Sequence, residues 1–200
     1  MKKGFFCFFA VVCVLLGVIS ISCACTVEPQ TVLGETSTTL YTCDVKNFEL
    51  STAIEISKNG ESYVKVKGNI FTYVTDPLTM YDMAGNKVAY AGDDYHFVAQ
   101  DSHSIFVDGM FTCELVGLVD WFGESYEIYD KDQNKIASVN FDYHNTSGQM
   151  HDTEGNLIAE FSSIYFFNVF EVRISDKCKL DDKTVLMIFC SYYSDYSYDE

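Results

Sequence analysis

Three segments of the chain repeat one short pattern, and that repeat limits the possible folds more than any other feature. They are LTMYDMAGNKVAYA (78–91), YEIYDKDQNKIASV (126–139) and GQMHDTEGNLIAEF (148–161). Each runs aromatic or His, Asp, two residues, Gly or Gln, Asn, one residue, aliphatic, Ala. The Asp carboxylate starts a turn by accepting backbone N–H groups ahead of it, and the Gly-Asn or Gln-Asn step accommodates the tight return. Asp82, Asp130 and Asp152 are therefore expected as hairpin-turn residues. These positions lie 48 and 22 residues apart, too uneven for a solenoid. The pattern implies a sheet built from similar hairpins.

Residues from about 48 onward carry the same message. Apolar residues alternate in STAIEIS and again in YVKVKG, with Asn59-Gly60 between them. Alternation of period two around Asn-Gly marks a β-hairpin, because both residues tolerate positive φ. HSIFVDGMFTCELVGLVDWFG and SSIYFFNVFEVRIS add strand-like runs, for about ten to twelve strands in all. A composition of 14 Tyr and 16 Phe with only 2 Pro suits pleated, half-buried surfaces. Residues 26–47, rich in Thr and other polar groups, read as a linker ahead of the folded part.

One segment departs from the alternation. Leu180-Asp181-Asp182-Lys183 leads into Thr184, Val185, Leu186, Met187, Ile188, Phe189 and Cys190. Asp181 or Asp182 suits a helix N-cap, and a run apolar on every side must be buried on every side if helical. A further core strand fits the same residues equally well.

The N-terminus reads as an address. Lys2-Lys3 precedes an uncharged run from Gly4 to Val27. A basic start before an apolar stretch is the pattern of a secretory signal, and the run is also long enough for a membrane-spanning helix. Ser22-Cys23-Ala24 offers small residues for cleavage, and the residues before Cys23 loosely resemble a lipoprotein lipobox. In every version the two lysines stay inside and the body, secreted or anchored, lies on the extracytoplasmic side. Four body cysteines (Cys43, Cys113, Cys178, Cys190) then permit up to two disulfides, with pairing left open by their spacing.

Charge narrows the partners. Lys2 and Lys3 are the only charged residues before Glu28, so the remainder sets 11 Lys and Arg against 29 Asp and Glu, a formal −18. Affinity for nucleic acid comes largely from neutralising phosphates, so DNA and RNA are poor partners. Lys58, Lys65 and Lys67 are the nearest approach to a basic patch.

Candidate chemistry is sparse. Asp93, Asp94, His96, Asp101 and His103 gather oxygen and imidazole donors that could hold a divalent cation or serve a hydrolytic activity; a polar inter-strand loop explains them equally well. Asp130 to Asn134 begins like a calcium loop but has Lys135 at the sixth position and Phe141 at the twelfth, where Gly and Glu belong. Gly123-Glu124-Ser125-Tyr126 is not a nucleophile elbow, and no phosphate-cradling loop or His-Glu-x-x-His occurs. Asn145-Thr146-Ser147 is the single glycosylation sequon. The expectation is a non-enzymatic module with no catalytic residues and no cofactor.

The hairpins and the terminal apolar run together resemble the LURP-one-related group of the tubby C-terminal-like superfamily, which includes phospholipid scramblases. Its repeated YxIYDxxGxxVA hairpin is matched by Met80-Tyr81-Asp82 with Gly85 and Val88-Ala89. It is matched again by Tyr126-Glu127-Ile128-Tyr129-Asp130 with Ile136-Ala137, and by His151-Asp152 with Gly155 and Ile158-Ala159. The second has Gln133 in place of Gly, and the third lacks the Tyr. YVKVKGNIFTYVTDPLTMYD resembles the family's opening strand pair, and the likeness covers roughly residues 50–194.

The resemblance implies a closed barrel of about twelve antiparallel strands around a central C-terminal helix at 183–193, with Val185, Leu186, Ile188 and Phe189 in the core. Tubby relatives bind phosphoinositides through basic residues on the barrel. This chain is acidic and has no Lys/Arg cluster at the matching hairpins, so that activity is not carried over. A scramblase-like, lipid-associated role is suggested by the resemblance and opposed by the charge. The expected organisation is a signal or anchor at 1–25, a polar linker at 26–47, the barrel at 48–194 and an acidic tail at 195–200.

Overall fold

The computed structural model describes residues 33, 37–48, 51–69, 78–93, 102–118, 125–142, 146–165 and 168–196. The address segment expected at 1–25 lies outside these residues, as does the sequon's Asn145.

The strands are β1 (Thr38–Phe48), β2 (Ser51–Lys58), β3 (Glu61–Asn69), β4 (Leu78–Asp82), β5 (Lys87–Asp93) and β6 (Ser102–Val107). They continue as β7 (Met110–Leu118), β8 (Ser125–Tyr129), β9 (Lys135–Phe141), β10 (Ser147–Asp152), β11 (Leu157–Tyr165) and β12 (Val169–Ser175). One helix, α1 (Asp182–Tyr196), follows. Each strand pairs antiparallel with its sequence neighbours, and β1 pairs with β12 to close a twelve-stranded barrel. Closure leaves no edge strand.

The linker expected over 26–47 is corrected by β1, which takes up residues 38–47 and completes the ring. Its alternation was masked by polar outward residues: Tyr41, Cys43 and Val45 are buried, while Thr42, Asp44 and Lys46 between them are not. Cys43 sits opposite Phe170 on one side and Ile56 on the other.

The tight hairpins share one end of the barrel. Asn59-Gly60 and Asp108-Gly109 form two-residue turns with positive φ at both positions, the geometry that matches strand twist. The turns at 82–86, 130–134 and 152–156 are longer. Every one of these five hairpins carries a register shift next to its turn. Bulges of this kind bend strands at barrel rims.

Eight strands enclose just enough space for side chains; twelve leave a lumen. Helix α1 fills it. Val185, Leu186, Met187, Ile188, Phe189 and Cys190 are all 0% exposed. Six consecutive helical residues cover every face, so α1 is surrounded on all sides. Its backbone lies closest to β5 and β6, where the inward residues Ala89 and Ala91 are small. Opposite, rings occupy the wider gap: Phe189 stacks on Phe161 at 5.7 Å and Tyr192 on Phe141 at 3.3 Å between centroids. The helix extends beyond 183–193, so residues 195 and 196, expected in a solvated tail, belong to its last turn.

Cys43, Cys113, Cys178 and Cys190 are free thiols, so neither permitted disulfide forms. Burial pushes the Cys113 and Cys190 thiols up to about 12, which keeps them protonated and unreactive.

Candidate functional site

The acidic and histidine residues singled out in the sequence do not assemble into a site among the described residues. Asp94, His96 and Asp101 lie outside them. Asp93 ends β5 and stands opposite His103 of β6. His103 belongs to a strand rather than a loop: it shares a face with Ile105 and Val107 and is buried. Among the described residues, no three His, Cys, Asp or Glu side chains converge on a common point.

The turn aspartates are engaged by the backbone. Asp82 Oδ1 accepts N–H groups from Ala84 and Asn86, Asp130 Oδ1 from Asp132 and Asn134, and Asp152 Oδ1 from Glu154 and Asn156. Hydrogen bonds to the ionised form hold all three carboxyls below the ordinary aspartate value. Asn86 and Asn156 side chains contribute most at Asp82 and Asp152, and the Asn134 backbone most at Asp130.

At the same end of the barrel, charges fasten the start of α1. Asp181 caps the helix by accepting the Lys183 N–H at 2.9 Å. Asp182 accepts a short hydrogen bond from the Tyr41 hydroxyl and another from Lys58 Nζ at 3.1 Å. Lys58 lies 5.4 Å from the centroids of both the Tyr41 and Tyr63 rings. Burial, and then the adjacent Asp182, raise the Tyr41 hydroxyl well above the usual tyrosine range. Lys183 Nζ reaches across to Asp108 Oδ2 at 3.2 Å, tying the helix to the β6–β7 turn.

Asp108 also borders a groove of about 560 Å³ lined by Lys87, Val88, Ala89, Tyr90, Phe106, Asp108 and Gly109. That volume falls in the range of small-molecule sites, roughly 300–1,000 Å³. Its walls follow from register. Tyr90 stands opposite Phe106, and Phe106 opposite Phe111, so three rings cross β5, β6 and β7 on the outer face. Tyr90 and Phe106 are 6.0 Å apart, and Phe106 and Phe111 meet edge-on at 5.7 Å. Tyr90 lies over Gly92, where a Cβ would stand 3.0 Å from the hydroxyl. Lys87 Nζ sits over the same ring, 4.0 Å from its centroid. Among the described residues, Lys87 has no carboxylate partner.

Exposed apolar residues occur at this end of the barrel too. Among the described residues, the large hydrophobic side chains left in solvent are Met83, Met110 and Phe111, at the β4–β5 and β6–β7 hairpins, and Leu118 at the far end of β7. Sequence reading passed over this site. The usable signals were the Asp108-Gly109 step, which pairs β6 with β7, and the aromatic residues left on the outward phase of VAYAG and SIFVDGMF.

Fold and groove together define an up-and-down barrel plugged by its C-terminal helix, with an aromatic cleft on the outer wall. No family model matches the chain, and no curated protein or solved structure matches it significantly.

Proposed function

We propose that this chain is a non-enzymatic binding module, secreted or held at the membrane by its N-terminal segment, which presents the Tyr90–Phe106 groove to a ligand outside the cytoplasm. The carrying observation is a cavity walled by Tyr90 and Phe106, with Phe111 edge-on beside Phe106, at the end of the barrel whose hairpins also carry the exposed Met83 and Met110. Solvated apolar residues are normal singly; gathered at a concave site they favour binding. The Lys2-Lys3 start and the apolar run after it support export. Membership of the LURP-one-related, tubby-like group draws support from the twelve-strand barrel with its C-terminal helix.

Titration of the full chain with benzyl alcohol, followed by backbone amide shifts, tests the groove. Shifts confined to residues 87–90 and 106–111, and abolished by Phe106→Ser, are expected. Shifts scattered over the barrel, or none in that stretch, overturn the reading.

A further inference from the structure

The groove's charges say what kind of ligand suits it, given that the groove is a binding site at all. Two charged side chains line it, and their states differ. Asp108 is already engaged: Lys183 Nζ lies 3.2 Å from one carboxylate oxygen and 3.5 Å from the other. Lys87 holds only the face of Tyr90 and, among the described residues, no carboxylate. An ammonium group resting on a ring keeps most of its capacity to bind an anion, because the ring contributes only a weak electrostatic attraction at an exposed site.

The body carries a formal −18, so a cation with no carboxylate partner among the described residues, beside an apolar wall, is a local exception to its acidity. The other walls, Val88, Tyr90 and Phe106, offer hydrocarbon and aromatic surface with no further charge.

We infer that the groove binds a small organic monoanion with an aromatic or aliphatic body, its carboxylate paired with Lys87 Nζ and its apolar part laid against Tyr90 and Phe106. The Asp108–Lys183 pair sets the limit on charge. With Lys183 in place, Asp108 neither repels the anion strongly nor recruits a competing ammonium. The site therefore discriminates against a cation of the same shape.

Benzoate, benzylammonium and benzyl alcohol share one ring and differ in charge, so the full chain is titrated with each and amide shifts are followed at residues 87–90 and 106–111. Benzoate is expected to bind at least threefold more tightly than benzylammonium. Lys87→Gln lowers benzoate affinity about three- to fivefold, the factor an exposed ion pair supplies, and leaves benzyl alcohol unchanged. Asp108→Asn acts in the opposite direction and raises benzoate affinity, since it removes the carboxylate and frees Lys183. Asn tolerates the φ of 49° at that turn position. Opposite effects from two neighbouring substitutions cannot arise from unfolding. Equal binding of benzoate and benzylammonium, or an unchanged benzoate affinity in Lys87→Gln, overturns the inference while leaving the groove a binding site. Failure of all three probes removes both.

Discussion

Gln133 occupies the turn position held by Gly85 and Gly155 in the sister hairpins, and it adopts the same left-handed conformation: φ is 60° at Gln133, 87° at Gly85 and 84° at Gly155. A side chain in that region costs about 1–2 kcal/mol, and glycine's greater freedom in the unfolded chain returns part of the gain. Gln133→Gly is therefore expected to stabilise the barrel by about 0.5–1 kcal/mol, read as a raised urea midpoint with an unchanged slope; a lowered midpoint contradicts it. The turn aspartates give a pH signature. Asp82, Asp130 and Asp152 titrate lower in the folded chain than in the unfolded one, so the unfolded state takes up protons first as pH falls. The stability they contribute is whole above the ordinary aspartate value near 3.9 and is lost as pH falls through their depressed folded values. Urea midpoints measured from neutral pH downward are expected to fall in that window, and less steeply in the triple Asp→Asn variant. A parallel pH profile for the variant contradicts this. These turns were legible in the sequence because their chemistry is local: one carboxylate and the next four residues. Lys87, Tyr90 and Phe106 were not, because only strand register brings them together.

At the scale of elements, helix α1 has the strictest requirement. Ile188 is 0% exposed inside the barrel, where an ionised carboxylate is cut off from water, and no Lys or Arg among the described residues is buried with it. Ile188→Asp is expected to cost several kcal/mol, enough to abolish cooperative thermal unfolding in a domain of ordinary stability. A melt with an unchanged midpoint contradicts the buried-helix assignment. Periodicity alone left 184–190 open between helix and strand, since a segment apolar on every side shows neither period. What marks it as a helix in the structure is the start: Asp181 caps it, and Asp182 is bonded by Lys58 and Tyr41. The recurring Ala of the hairpin motif has a role the sequence could not disclose. Ala89, Ala137 and Ala159 all face inward and are buried, and at Ala89 the small side chain leaves room for the helix where its backbone lies closest to the wall. His103 misled for the opposite reason. Its polar neighbours suggested a loop, yet the alternation of His103, Ile105 and Val107 places it in β6.

For the molecule as a whole, closure depends on its first strand. Eleven of the twelve strand pairings join neighbours in sequence, and such meanders form from local contacts. The twelfth, β1 with β12, spans the chain from Thr38 opposite Ser175 to Asp44 opposite Val169. Without β1 the barrel has two long edges, at β2 and β12, and the buried helix faces a gap. Tyr41 is lost as well, and with it one of the two partners of Asp182. The boundary at 48 suggested by the polar composition and the boundary at 38 set by the strand therefore make opposite predictions for truncated chains. A chain beginning at Ser37 retains all twelve strands and is expected to unfold in one cooperative thermal transition. A chain beginning at residue 49 is expected to lose that transition and to aggregate through the exposed edges, as unpaired strands do. Equal melting of the two chains contradicts the closure described here and makes β1 an accessory to an eleven-stranded sheet.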